Sequence, residues 1–357
     1  MRAEYSATLR CNGNRSREAC VAYSYGDPTK YSKGAVRRAG AALAGAHTPE
    51  DLAIVNNWRN SHAYILNTFQ ATLRGYIKRD PAVEVVFAQR LKRLSTIVDK
   101  LGSGRAKDLS SMHDLAGCRL IFNSIGDLQR FRSRFRYTEA KHERIDEDRY
   151  DYIARPKQTG YRGVHEVYKY VAKTAGGAAY NGLKIEIQFR TRTQHAWATA
   201  VEISDILDGA RIKFDRGANP KREKLFGLAS EYLARTKEDS LGYFPELSNH
   251  ELCEELRSLE NDLGAIRTLD AARRSNVAIP RRKHIVLHFH LGELAASGFS
   301  SAKQAINYRD AVEASFPDDD VVYVTASSPQ AVSDAFRNYF RDAADFVGYM
   351  RPALGWD

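Results

Sequence analysis

Residues 183–191, Leu-Lys-Ile-Glu-Ile-Gln-Phe-Arg-Thr, alternate without a break. Leu183, Ile185, Ile187 and Phe189 fall on one side of an extended chain, and Lys184, Glu186, Gln188 and Arg190 on the other. That pattern demands a sheet with one face in a core and the opposite face polar. A carboxylate set among Lys, Gln and Arg is satisfied either by solvent and cross-strand partners or by a bound ligand. Both readings remain open on this strand alone.

Neighbouring segments supply the rest of such a sheet. "DLAGCRLIFNS" reads as a turn feeding a buried strand, with Cys118 as a small apolar residue inside it. "TPEDLAIVNNWRNSHAYILNTFQATLRGYI" carries a Thr cap, Pro at the first helical position and acids in the first turn. Its Trp58, Ile65, Leu66, Phe69 and Leu73 are the expected core face. "RDPAVEVVFAQRLKRLSTIVDKLGSG" opens on an Asp-Pro break, runs through an apolar segment and a basic strip, and ends in a helix closed by Gly102. "SIGDLQRFRSRFRYT" predicts a basic amphipathic helix, and "TQHAWATAVEISDIL" a helix directly after the alternating strand. The fold class is therefore α+β, a mixed sheet flanked by helices.

Four stretches follow from this. Residues 1–45 form a basic extension, and 46–210 the α+β core with its N-terminal helices. Residues 211–280 are a charged helical connection, and 281–357 a small C-terminal α/β module read as strand, helix, strand, helix. The net charge is +10, yet residues 281–357 hold 8 Lys/Arg against 10 Asp/Glu, a net of −2, so the remainder carries +12. Positive charge concentrated there suits a polyanionic ligand, nucleotide phosphates or RNA, and equally a merely soluble basic surface. No apolar run reaches the length of a membrane span and no signal-peptide core opens the chain, so a cytoplasmic protein is expected. Cys11, Cys20, Cys118 and Cys253 form no CxxC pair, which argues against a zinc ribbon.

Two further groups carry chemistry. Asp114 stands just before a strand and, with Glu186, gives the two carboxylates that a Mg²⁺ ion shares with phosphate oxygens; taken alone, Asp114 also suits a cap or turn. His113-Asp114 lacks further ligands at metal-hydrolase spacing. In "RLKRLSTIVDK", Arg90 and Lys92 share a strand-like face and Thr96 and Lys100 a helical one, a cradle for a triphosphate. No GxxxxGK[ST] occurs, so this is not a P-loop, and "GSG" at 102–104 is too short for a dinucleotide fingerprint.

The order "RLKRLSTIVDK", "DLAGCRLIF", "DYIARPKQTGYRGVH", "IEIQFRT" resembles the synthetase domain of the RelA/SpoT family, the ribosome-associated and small alarmone synthetases, over about residues 85–205. The resemblance implies a nucleotidyltransferase-like core that binds ATP through Arg90, Lys92, Thr96 and Lys100, with Arg119 and Arg90 enclosing the adenine. It implies Mg²⁺ on Asp114 and Glu186, the catalytic pair, with Glu186 also drawing the proton from the acceptor hydroxyl. Lys157, Tyr161, His165, Gln188 and Arg190 would bind the acceptor, Tyr161 by stacking on its base. The reaction is pyrophosphoryl transfer from ATP to a 3′-hydroxyl, releasing AMP.

The chain departs from the family at Thr96, where serine is usual, at Thr159, where asparagine is common, and at Gly163, where serine is common. The last two flank Tyr161, so the donor is better defined than the acceptor. Residues 1–84 are too short for the family's hydrolase domain, so a synthetase without alarmone hydrolysis is expected.

GDP or GTP is the expected acceptor. The alternatives are the 3′ end of tRNA, which the +12 body and "RFRSRFR" would suit, and an inactive RNA- or protein-binding domain, against which the carboxylates and basic residues argue. Residues 281–357 are assigned a regulatory role: inhibiting the synthetase, sensing a regulator, or forming a homo-oligomer. Within them, His284, His288 and His290 read as strand histidines rather than a metal site. Asn57, Trp58, Arg59 and His62 are candidates to brace the site, with core packing favoured for Trp58.

Overall fold

The computed structural model describes residues 25–43, 45–138, 142–207, 219–274, 280, 282, 284–290, 293–316, 319–325 and 343–356. Most of the expected N-terminal extension, with Cys11 and Cys20, lies outside the described residues.

A long helix underlies the first half of the chain. After α1 (Lys33–Ala42), α2 runs over Pro49–Arg79. Thr48 and Asp51 form a reciprocal capping box, Pro49 opens the first turn, and Lys78 and Arg79 lie in the last. Such a cap contributes about 1 kcal/mol. The apolar stripe does more. Trp58, Ile65, Leu66, Phe69 and Leu73 are all buried, as their spacing predicts, and each contributes about 1.5–3 kcal/mol by leaving water. Truncating Phe69 to alanine would cost about 3–5 kcal/mol.

Above α2 lies a five-stranded mixed sheet in the order β1-β2-β5-β4-β3. Its strands are β1 (Val85–Leu91), β2 (Ala116–Phe122), β3 (Glu143–Ile145), β4 (Val164–Lys169) and β5 (Lys184–Thr191). Only β2 and β5 pair in parallel. Helix α3 (Leu94–Gly102) follows β1, and α4 (Ile125–Thr138) follows β2. One face of the sheet, with Leu91, Cys118, Leu120, Ile185, Ile187 and Phe189, joins α2 in a single core. Burial pushes the Cys118 thiol far above its usual range, as befits an inert core cysteine. The other face carries Arg90, Gly117, Arg119, Glu186, Gln188, Arg190 and His165 in register across four strands.

The charged segment after the sheet is more than a connection. Helices α5 (Arg192–Leu207), α6 (Pro220–Glu238), α7 (Asn249–Leu263) and α8 (Ala265–Arg274) share a second core. A last helix over 343–354, α10, packs Phe346, Val347 and Met350 into that same core. The first part of the helix expected before it lies outside the described residues.

A three-stranded antiparallel sheet, β7-β6-β8, carries α9 (Ala302–Ser315) on one side. Its strands are β6 (His284–His290), β7 (Glu293–Phe299) and β8 (Asp320–Thr325). β7 has no counterpart in the sequence reading. It forms a hairpin with β6 although "ELAASGF" is built of small residues with weak strand preference. His288 Nε2 donates to Asp319 Oδ2 (2.5 Å). No group of three or more metal-ligating side chains occurs among the described residues.

Candidate active site

The donor half is organised by one carboxylate. Where β1 ends, Lys92 N donates to Leu115 O (2.8 Å) and Arg59 Nε donates to Lys92 O (2.7 Å). This fixes Lys92 beside Asp114, which immediately precedes Leu115. Asp114 Oδ2 accepts from both Lys92 Nζ (2.7 Å) and Lys100 Nζ (2.6 Å). Burial and the Glu186 charge work to raise the Asp114 pKa, but the two lysines outweigh them and hold it below the usual carboxylate value. Lys92 is only 5% exposed, and burial lowers it to about 8 against the pull of Asp114. Arg90 stays exposed on the same sheet face. Thr96 is half-buried on α3, one turn before Lys100. Arg119 Nε donates to Gln188 Oε1 (3.1 Å), and its pKa falls to about 9, first through burial and then through Arg190 and Arg90.

The acceptor half is a closed hydrogen-bond network. His165 on β4 stands opposite Gln188 on β5, so its Nδ1 reaches Glu186 Oε1 (3.0 Å). Gln188 Nε2 donates to Glu186 Oε2 (2.6 Å). The Tyr161 hydroxyl meets His165 Nε2 (2.5 Å) and accepts from Arg190 Nη2 (2.9 Å). Burial opposes every charge here, and the neighbours overrule it. Arg190 and His165 bring Tyr161 down to about 7, and Tyr161 and Glu186 bring His165 up to about 9. His165 and Gln188 hold Glu186 far below the carboxylate range. Lys157 Nζ lies 4.1 Å from the Tyr152 ring centroid and 5.3 Å from that of Tyr161.

Backbone shape explains one departure from the family pattern. Gly160 has φ +85° and Gly163 φ +143°, both in the region that disfavours side chains. A Cβ at Gly163 would stand 3.2 Å from Arg190 Cγ. Glycine here lets the loop pass close over Arg190, the partner of Tyr161.

The predicted donor and acceptor residues thus meet on one sheet face, with Asp114 and Glu186 between the two halves. Both carboxylates are held below their usual range: Lys92 and Lys100 outweigh burial and the Glu186 charge at Asp114, and His165, Gln188 and Lys100 outweigh burial at Glu186. Two carboxylates with substrate phosphates are the set Mg²⁺ takes, so the donor set fits that ion. Of the bracing candidates, Arg59 does hold the Lys92 carbonyl. His62 is buried, hydrogen-bonds Trp58 O (2.8 Å) and is lowered to about 4 by burial. Asn57 ties down Asp27 near the chain start instead of the site.

Sequence reasoning missed Tyr152, whose ring stands edge-on to both Tyr161 and His165 with centroids 5.6 Å apart; its place in the "YDY" of the acceptor loop was the available signal. The basic run of α4 is largely satisfied internally. Arg132 pairs with Asp148, Asp151 and Glu166, Arg136 with Asp148 and Glu166, and Arg134 with Asp80.

Comparison with known proteins identifies the family. Residues 89–205 match the family described as "Region found in RelA / SpoT proteins". GTP pyrophosphokinase YjbM of Bacillus subtilis (strain 168) is 31% identical over 153 residues, 42% of this chain and 67% of that protein. The crystal structure of small alarmone synthetase 1 from Bacillus subtilis bound to its product pppGpp is 23% identical with a TM-score of 0.42, covering 50% of this chain and 89% of the other. Small alarmone synthetase 2 from Bacillus subtilis is 21% identical with a TM-score of 0.43, covering 52% and 94%.

Proposed function

This chain belongs to the RelA/SpoT family of nucleotide pyrophosphokinases, and from that premise we propose that it transfers the β,γ-diphosphate of ATP to the 3′-hydroxyl of GDP or GTP. The products are a (p)ppGpp-type alarmone and AMP. The observation that carries the reading is the meeting of Asp114 and Glu186 between a lysine-rich half and an aromatic, histidine-linked half on one sheet face.

Lys92 and Lys100 bind donor phosphates, and Arg90 and Arg119 enclose the adenine. Thr96 supports the phosphates from α3. On the other side Tyr161, backed by Tyr152, orients the acceptor base. Lys157 and Arg190 neutralise its phosphates, while Gln188 and His165 fix Glu186. The acceptor 3′-oxygen attacks the β-phosphorus, the bond from that phosphorus to the α,β-bridging oxygen breaks, and AMP departs with the electron pair. Glu186 receives the hydroxyl proton. Mg²⁺, held by Asp114 and Glu186, would neutralise charge on the transferring phosphates. Chemistry of this kind rests on positioning and charge, which these side chains supply.

The test is γ-labelled ATP incubated with GDP, GTP or tRNA. Label on GDP or GTP supports the reading. Label on tRNA and none on either nucleotide overturns it in favour of the tRNA-modifying alternative. The internal pairing of Arg132, Arg134 and Arg136 leaves α4 less cationic than its sequence implies, which favours the free nucleotide.

A further inference from the structure

Glu238 is a carboxylate in an unfavourable place. It ends α6, at the negative pole of that helix, and its side chain is 3% exposed. Its Oε2 accepts from Arg162 Nη1, in the acceptor loop next to Tyr161, and from Gln194 Nε2 at 3.3 Å. Its Oε1 accepts from Thr191 Oγ1, the residue after Arg190. One carboxylate therefore holds both segments that bring the Tyr161 hydroxyl to Arg190.

Arg162 is 2% exposed, and its Nε and Nη2 have no partner among the described residues. Arg162 also lines a small cavity with Thr193, Gln194, Trp197, Ser230 and Leu233. A buried ion pair left partly unsatisfied adds little net stability over an apolar pair. Its geometry, however, is well defined. A second contact fixes the same loop to the same helix. A Cβ on Gly160 would stand 2.8 Å from Gly227 Cα and 2.9 Å from Phe226 O, and Trp197 Nε1 donates to that same carbonyl (2.8 Å). The Tyr161 ring rests on the second core beside Trp197.

We infer that Glu238, through Arg162 and Thr191, is a positioning residue that sets the acceptor-binding conformation of the loop around Tyr161. The inference rests on the acceptor reading above. Glu238 lies beyond the stretch that matches the family, so α6 is part of the acceptor half and not merely a connection.

The experiment uses the full chain and two variants, Glu238→Gln and the apolar pair Arg162→Met/Glu238→Leu, with AMP release measured against ATP and GDP. The expected result is a KM for GDP raised about tenfold, the effect of losing one charge-assisted contact, with the KM for ATP within about twofold. Equal weakening toward both substrates, or a fall in kcat alone that follows the folded fraction, overturns the inference. The apolar pair keeps the test alive should Glu238→Gln fail to fold; a folded apolar pair with wild-type KM for GDP also overturns it. If the wild-type chain uses neither GDP nor GTP, the acceptor reading fails and a substrate-free readout decides this one. Tyr161 ionisation, followed at 295 nm and assigned by subtracting the Tyr161→Phe spectrum, should have its midpoint near 7 in the wild type and move upward in the variants. An unmoved midpoint sinks the positioning role.

Discussion

The two halves of the polar sheet face, to which the proposed function gives the two nucleotides, are built in different ways. On the donor side one carboxylate oxygen is shared by two lysines, and Arg90 is left exposed. On the acceptor side Gln188, Glu186, His165, Tyr161 and Arg190 are tied one to the next, and Arg119 of the donor half joins the chain at Gln188. The donor half is a set of charges that a polyanion and a divalent ion can rearrange. The acceptor half is assembled beforehand and backed by α6. Affinity for the donor should therefore be a matter of charge, and affinity for the acceptor a matter of geometry.

Removing what the halves share should have the largest effect. Asp114→Asn and Glu186→Gln should each lower kcat by about 10³-fold or more, in line with losing a main electrostatic contact to a reacting phosphate, measured by AMP release. Retained turnover in either would break the division at its centre. Next comes a crossed test. Lys92→Met should raise the KM for ATP by about 10–100-fold and leave that for the acceptor nearly unchanged. Tyr161→Ala should do the reverse. If each variant moved both KM values, the halves would not be separate. Gly163→Ala sharpens the geometric claim: forcing a side chain into φ +143° should destabilise the protein by about 1–3 kcal/mol in chemical denaturation and raise the acceptor KM, with the donor KM unaffected.

Acidity separates the halves more gently. Lys92 titrates near 8, against 10.5 for an ordinary lysine. Raising the pH through 8 removes a charge that the donor needs, so the KM for ATP should climb, and Lys92→Arg should flatten that climb. Between about 8 and 10.5 the unfolded chain holds the extra proton, so this residue makes the protein more stable as pH rises. The acceptor pair behaves otherwise. The stability from His165, raised to about 9 from 6.5, is complete below 6.5 and is lost as pH rises through 9. That from Tyr161, lowered to about 7 from 10, is complete above 10 and is lost as pH falls through 7. Between pH 7 and 8 the two oppose each other, so the wild-type Tm should be nearly flat there, and from 8 to 9 Lys92 should tilt it upward. Tyr161→Phe removes both the Tyr161 contribution and the largest influence raising His165, so the His165 midpoint should drop below 9; an unmoved midpoint would show that the pair is not coupled as drawn.

Much of this was legible in the chain itself, where the signal is local. Alternation in 183–191 gave the two faces of β5, and the Thr48 cap with its apolar stripe gave α2. The residues assigned to the site converge because strand register brings Gly117 and Arg119 opposite Glu186 and Gln188. What escaped is non-local. Nothing near Glu238 announces that it faces Arg162, and nothing in 343–354 announces that it packs with α5–α8 and not on the small sheet. The arginines of α4 read as a binding surface because their partners, Asp80, Asp148, Asp151 and Glu166, lie outside the helix, on distant parts of the chain. β7 was invisible because most of its residues, the Ala-Ala-Ser-Gly run, have weak strand preference.

The parallel pairing of β2 with β5 has a consequence for how activity arises during synthesis. Arg119 and Gln188 meet across a sequence separation of 69 residues, and Arg162 and Glu238 across 76. Contacts of that range form late, because a long loop must close before they return any energy. Emerging from the ribosome, the chain presents its lysines and Asp114 well before Glu186 and α6 exist. The polar face is complete only once the sheet and its backing helix have both formed.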